Sequence, residues 1–231
     1  MSSPTTTVTI AGLTGKLALL IAKHLLKTPH VHINGLCRTP SKLPPSLASH
    51  PRVTIFPATA TDTPQLRSAL HDASICICCY LGDATLIVSG QKALIDACIE
   101  ERVPRYVASD WCLDYRRLQL GDLPPKDPVK QVAAYLEERK GRILGVHVLN
   151  ACLLEAPWRS IWDAQGRHFK YWGTGEEKWE LTSYGNAAEF TARVALDTEA
   201  NGYLSCKLVW FSRFRVLRVR ECGILMRRSS R

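Results

Sequence analysis

Over the first 150 residues, short apolar runs alternate with longer segments whose apolar positions recur every three or four residues. Thr7–Ala11 (TVTIA) is short and β-branched and predicts a strand. In Lys16–Lys27 the residues Leu17, Leu20, Ile21 and Leu25 share one face, which predicts a helix closed by Pro29. The same reading places strands at Val31–Cys37, Val53–Pro57, Ser74–Leu81, Arg105–Ser109 and Gly145–Asn150. Helices are expected at Pro64–Leu70 with Asp62 as its cap, at Ser89–Glu101, and at Asp127–Lys140. Ser74–Leu81 (SICICCYL) is apolar without alternation, as suits a central strand covered on both faces. Strands alternating with helices predict a doubly wound α/β fold with a parallel sheet and right-handed crossovers.

Beyond residue 150 the texture changes. Trp158, Trp162, Tyr171, Trp172 and Trp179 gather around Gly166, Gly173 and Gly175, and HFKYWGTGEEKWEL reads as a hairpin. The aromatic group suits either a wall of an apolar pocket or the core of a small lobe. Ser183–Leu196 reads as a helix, and after Asn201–Gly202 arginine and apolar residues mix without a clean period.

Charge sharpens that boundary. The 231 residues carry a formal +9, but residues 207–231 hold +7 of it and the other 206 residues only +2. The body is therefore nearly neutral, and no nucleic-acid-binding motif accompanies the basic tail, so no nucleic-acid partner is expected. No run approaches the roughly 18 apolar residues of a membrane span, and the start, MSSPTTTVTI, lacks the basic region of a signal peptide. Nine cysteines, several inside apolar runs, fit buried free thiols and a cytoplasmic or nuclear location. Cys76 and Cys79 form a CxxC, but with no second ligand pair nearby the core-strand reading is preferred to a metal or redox site.

The sharpest local feature is Gly12-Leu13-Thr14-Gly15-Lys16-Leu17-Ala18, a GxxGxxA turn between the first strand and the first helix. Glycines there let the backbone approach a diphosphate, and the helix start offers free N–H groups and the positive end of its dipole. The second strand ends in Cys37-Arg38, followed by Ser41 and Lys42, where an NAD-binding chain would carry an acid. A cation at that place suits the 2′-phosphate of NADP(H) and favours it over NAD(H). Tyr80, Leu81, Gly82 and Asp83, after the fourth strand, are candidates for the cofactor trough, although loop chemistry accounts for Gly82 and Asp83 equally well.

With TIAGLTGKLALLIAKHLL, LCRTPSK, RYVASDW and YWGTGEEKWELTSYGNAAEFTA together, the chain resembles the NmrA-like proteins over roughly residues 6–200. These are atypical short-chain dehydrogenase relatives that include isoflavone reductase-like enzymes and fungal redox-sensing regulators. The resemblance is to a fungal-type member with an atypical or truncated C-terminus. It implies a Rossmann-like domain at 6–150, an incomplete substrate lobe at 151–202 and an atypical basic tail at 203–231. In place of the acid with which the family usually opens the helix after the hairpin, this chain has Asn186.

The Tyr-xxx-Lys pair of ordinary short-chain dehydrogenases is missing; Tyr135 is followed by Arg139. Isoflavone reductase-like members rely instead on a lysine near the helix after the fifth strand, for which Lys126 and Lys130 are candidates and Lys126 is preferred. Such a lysine could protonate a substrate, and Ser109 could hydrogen-bond it, although a solvated lysine and a capping serine are equally ordinary readings. Asp62 matches an acid near the adenine, but a helix cap is the simpler role. Two functions follow: an NADPH-dependent oxidoreductase of a small organic substrate, or a non-catalytic NADP-sensing regulator that binds a protein partner.

Overall fold

The computed structural model describes residues 5–155 and 179–206, together with the backbone of 162–163, 168–169 and 209–211. In chain order the elements are β1 (Thr6–Ala11), α1 (Lys16–Leu25), β2 (Val31–Cys37), α2 (Pro45–Ala48), β3 (Val53–Pro57), α3 (Thr63–Leu70), β4 (Ile75–Cys78), α4 (Gln91–Glu100), β5 (Arg105–Val107), α5 (Asp127–Glu137) and β6 (Leu144–Leu149). They are followed by β7 (Cys152–Leu153), β8 (Trp162–Asp163), β9 (His168–Phe169), β10 (Trp179–Thr182), α6 (Tyr184–Leu196), β11 (Gly202–Ser205) and β12 (Val209–Phe211).

Seven strands form one parallel sheet in the order β11-β6-β5-β4-β1-β2-β3. This is the Rossmann-like, doubly wound α/β arrangement that the alternating pattern predicted. Side-chain alternation in the central strands feeds two cores. Ile75 and Ile77 of β4 pack with α1 and α6 on one face, through Ala18, Ile21, Ala188 and Ala192. Cys76 and Cys78 face α3, α4 and α5 on the other, with Leu66, Leu94 and Val132. Of the CxxC, Cys76 is fully buried in the core and Cys79 is partly buried against it; among the described residues no group of His, Cys, Asp or Glu is arranged to hold a metal ion. Among them, too, no helix is long and apolar enough to cross a membrane.

Several expected boundaries move. β4 stops at Cys78, where its pairing with β1 ends at Ala11, because β1 turns away there through the glycine loop. The helix expected from Ser89 begins as a π-turn, Leu86–Gly90, capped by Asp83, whose Oδ1 accepts from the Leu86 amide at 2.8 Å. Asp62 caps α3, accepting from the Gln65 amide at 3.3 Å. Ser183 caps α6, its Oγ accepting from the Asn186 amide at 3.1 Å.

The hairpin expected in HFKYWGTGEEKWEL is not the pairing found among the described residues. β9 pairs with β8, while β10 lies between β12 and β7 in a three-stranded sheet. β10 takes partners 28 or more residues away in sequence, and a local pattern carries no information about such pairings. Residues 202–205, read as unpatterned, become β11, the sheet's edge strand beside β6. The aromatic side chains of Trp158–Trp179 and most of the basic tail lie outside the described residues.

Arg105 ties α6 to the sheet. It is 5% exposed and leaves β5 to donate to three carbonyls at the end of α6: Asp197 at 2.6 Å, Ala195 at 2.8 Å and Val194 at 3.3 Å. A buried cation at a helix C-terminus satisfies orphan carbonyls and complements the negative end of the dipole.

Candidate functional site

In an open parallel sheet the ligand crevice forms where the strand order reverses, here between β1 and β4. β1 leaves the sheet through Gly12, whose φ of +81° favours glycine. A Cβ at Gly12 would also stand 2.8 Å from the carbonyl oxygen of Cys79, so the two strand ends close together only because it has none. The amides of Gly12 and Leu13 donate to the Leu36 carbonyl at 2.9 and 3.0 Å, and that of Gly15 donates to the Gly12 carbonyl at 2.9 Å. The Leu13 side chain is fully buried over Gly35, where a Cβ would fall 2.2 Å from Leu13 Cδ2. Gly12 and Leu13 therefore build and anchor the turn, with their own amides already engaged. Neither they nor Thr14 lines the crevice.

The first turn of α1 does line it. Gly15, Lys16, Leu17 and Ala18 form one wall of a cavity of about 510 Å³, and no side chain caps the helix start. Uncapped first-turn amides and the positive dipole end suit an anion. Lys16 adds charge at the rim, its Nζ held 4.2 Å from the ring centroid of Tyr184, another wall residue. Tyr80, Leu81 and Gly82, on the loop after β4, stand in the same cavity. Leu81 is 93% exposed.

A further wall joins the exit of β5 to the approach to α5. Ser109 Oγ donates to the Tyr80 carbonyl at 2.7 Å, tying the ends of β4 and β5 together. Its amide donates at 3.0 Å to Gln91 Oε1, which also accepts from Tyr106 Oη at 3.1 Å. Trp111, with a strained φ of +34°, is held by its indole Nε1 donating to Thr191 Oγ1 at 2.9 Å. Lys126 closes a 3₁₀ turn, Pro124–Lys126, and faces the same cavity. Near it lies the buried thiol of Cys112, pushed up to about 12 by burial against the lowering effect of Lys126. Such a thiol is inert as a nucleophile.

Of the predicted residues, the fold thus brings Gly15, Lys16, Leu17, Tyr80, Leu81, Gly82, Ser109 and Lys126 around one cavity. Arg38 and Lys42 are exposed beyond its edge, on the segment leaving β2, next to the strand end whose Leu36 carbonyl holds the glycine turn. Lys130 is separated from Lys126: its Nζ donates to the Tyr115 carbonyl at 3.2 Å, and it lines a second groove of about 710 Å³ between α5 and the β6–β11 edge.

Sequence reasoning missed a buried polar cluster beside the cavity. His147 Nδ1 lies 2.7 Å from Asp110 Oδ2, and Tyr115 Oη donates to the same oxygen at 3.0 Å. A histidine inside the apolar strand GVHVLN was the available signal, but its partners lie 32 and 37 residues away.

Fold and site together define a dinucleotide-binding α/β protein. The chain belongs to the NAD(P)H-binding family, whose model matches residues 12–141. No curated protein sequence matches it. Among solved structures it is similar to an isoflavone reductase at 17% identity and a TM-score of 0.70, covering 87% of this chain and 69% of that one. A leucoanthocyanidin reductase from Vitis vinifera, in binary complex with NADPH, matches at 17% identity and a TM-score of 0.66, covering 86% of this chain and 66% of that one. An NADPH-dependent quinone oxidoreductase from Escherichia coli, complexed with NADPH, matches at 20% identity and a TM-score of 0.67, covering 87% and 68%.

Proposed function

We propose that this chain is an NADPH-dependent reductase of the NmrA-like, isoflavone reductase-like kind, acting on a small organic carbonyl or unsaturated compound. The observation that carries the reading is the single cavity at the switch point, shared by the uncapped start of α1, Ser109 and Lys126. Its volume lies within the range of small-molecule sites. The open first turn of α1 fits a dinucleotide diphosphate, and the neighbouring reductases solved with NADPH support the same assignment.

When bound, the reduced dinucleotide supplies a hydride. The residues of this chain do the rest. The first-turn amides and Lys16 hold the diphosphate, and Arg38 and Lys42 meet the 2′-phosphate. Leu81 and Tyr80 cover the apolar face of the ligand. Lys126 offers a proton from its ammonium group to the substrate atom that gains negative charge. The Ser109 hydroxyl, whose hydrogen is engaged by Tyr80, presents lone pairs to the ligand.

The test is NADPH and NADH binding measured by titration, followed by NADPH consumption against a panel of carbonyl and enone substrates. NADPH should bind at least tenfold tighter, and Arg38→Ala should remove that preference. Lys126→Ala should lower turnover about 10²-fold or more, whereas Lys130→Ala should keep it within a few-fold. Tight NADPH binding with no turnover of any substrate would replace this reading with a non-catalytic, dinucleotide-sensing regulator. Equal binding of both cofactors would remove the role given to Arg38.

A further inference from the structure

Gln91 opens α4, yet it is fully buried and does not itself line the cavity. Its carboxamide reaches three separate segments. Oε1 accepts from the Ser109 amide at 3.0 Å and from Tyr106 Oη at 3.1 Å, while Nε2 donates to the Ile87 carbonyl at 3.1 Å. A backbone amide can only donate, so the contact with Ser109 fixes which end of the carboxamide is oxygen. The Ile87 carbonyl belongs to the π-turn Leu86–Gly90. In an α-helix it would take the backbone amide of Gln91, four residues on. Here that amide goes to the Val88 carbonyl, and the side chain of the same residue fills the place at Ile87. A buried network satisfied in this way is rigid.

Two of the three segments so joined, at Ser109 and Ile87, are wall of the cavity. Ser109 in turn holds the Tyr80 carbonyl, and Ile87 packs on the cluster that contains Cys112 and Val129, the latter another wall residue. Strand order says which end of a dinucleotide this wall meets. Arg38 leaves β2, the open helix start follows β1, and Ser109 follows β5, on the other side of β1 with β4 between. With the diphosphate at α1 and the 2′-phosphate towards Arg38, the nicotinamide runs towards Ser109.

We propose that Gln91 is the positioning residue for the reacting end of the cavity, holding Ser109 and the π-turn in one register so that nicotinamide and substrate meet a preformed wall. The proposal rests on the reductase reading of that cavity. Gln91 touches no ligand and acts through Ser109 and Ile87. The diphosphate wall, Gly15–Ala18, takes none of its hydrogen bonds, so its loss displaces the reacting groups without releasing the dinucleotide. A displacement of about 1 Å caused away from the chemistry can cost about 10²-fold in rate.

The experiment compares the whole chain with Gln91→Met, Ser109→Ala and the double variant. Methionine fills a similar volume and makes none of the three bonds. Gln91→Met should lower kcat about tenfold or more, with NADPH affinity within a few-fold of wild type. In the Ser109→Ala background the same change should cost kcat much less, because the hydroxyl it positions is gone. Gln91→Glu, ionised or protonated, keeps an oxygen for Ser109 and Tyr106 and should hold kcat within a few-fold. The nicotinamide emission of bound NADPH needs no turnover: Gln91→Met should move it towards that of free NADPH, and Gln91→Glu should not. A merely structural Gln91 would lower stability and leave kcat and emission of the folded protein unchanged. That result, or equal losses of kcat in both backgrounds, overturns the proposal. Should wild type turn over no substrate, the reductase reading fails, while the emission of bound NADPH still decides the role of Gln91; no NADPH binding by wild type overturns both. Should Gln91→Met fail to fold, Gln91→Asn, polar but too short to reach Ser109, takes its place and should show the same loss.

Discussion

Ser109 donates its hydroxyl hydrogen to the backbone carbonyl of Tyr80 at 2.7 Å, so the exits of two neighbouring parallel strands are fastened at the mouth of the cavity. The carbonyl belongs to the loop that carries Leu81, and the serine belongs to the loop that carries Asp110 and Trp111. Ser109→Ala should therefore loosen the Tyr80–Gly82 loop while leaving the sheet intact. A loss of about 1 kcal/mol in stability is expected for one net hydrogen bond, together with a several-fold weaker NADPH affinity. Urea denaturation and cofactor titration measure the two effects. Unchanged NADPH affinity would separate the loop from cofactor binding.

Gly12 makes a harder demand. With φ at +81° and a Cys79 oxygen 2.8 Å from any Cβ, an alanine there must push β1 and β4 apart at the switch point. Gly12→Ala should cost about 1–3 kcal/mol of stability from backbone strain and lower NADPH affinity more than tenfold. Gly15→Ala offers the contrast, since its φ is −73° and the nearest atom to an added Cβ is 3.3 Å away. It should fold near-normally, and any loss of affinity should come from crowding at the first turn. Equal stability losses in the two variants would contradict this division.

The parts of the site that the sequence made visible are those built from consecutive residues. The turn from β1 into α1, the missing acid after β2 and the apolar run of β4 each need only local chemistry to be read. Lys126 and Lys130 show where such reading stops. On one continuous helix residues four apart share a face, but Lys126 ends a 3₁₀ turn before Asp127 opens α5, and the break sends the two lysines to different cavities. The Asp110–His147 contact, the β10 pairings and the addition of β11 all join segments far apart in sequence. The purpose of Gly35 within β2 appears only with Leu13 seated over it.

Arg105 gives a prediction about how α6 is retained. Three carbonyls near the end of α6 depend on its guanidinium, and burial lowers the cation's own preference for charge. Arg105→Met keeps the apolar stem but strands those carbonyls inside the protein. A loss of about 3 kcal/mol is expected, with accelerated hydrogen exchange in 184–197 before the sheet opens. Lysine, which offers a point charge without the planar fork, should recover only part of the loss. Uniform exchange across sheet and helix would mean that α6 is held by its apolar contacts alone.

Alkaline pH should destabilise the fold, and Cys112 shows why. In the unfolded chain its thiol ionises near the ordinary value of 9.0, whereas burial holds the proton in the fold until about 12. Between these values the unfolded state has released a proton that the folded state retains, so raising the pH favours unfolding. The contribution is fully present below about pH 9 and disappears progressively towards pH 12. Cys76, Cys78, Cys79, Tyr106 and Tyr115 are shifted upward by the same cause, burial, and act in the same direction. The urea midpoint should accordingly fall as the pH rises above about 9 towards 12, and Cys112→Ala should make that fall shallower whatever it does to the midpoint at neutral pH. A slope identical in wild type and Cys112→Ala would show that this thiol is not the protected group its burial makes it.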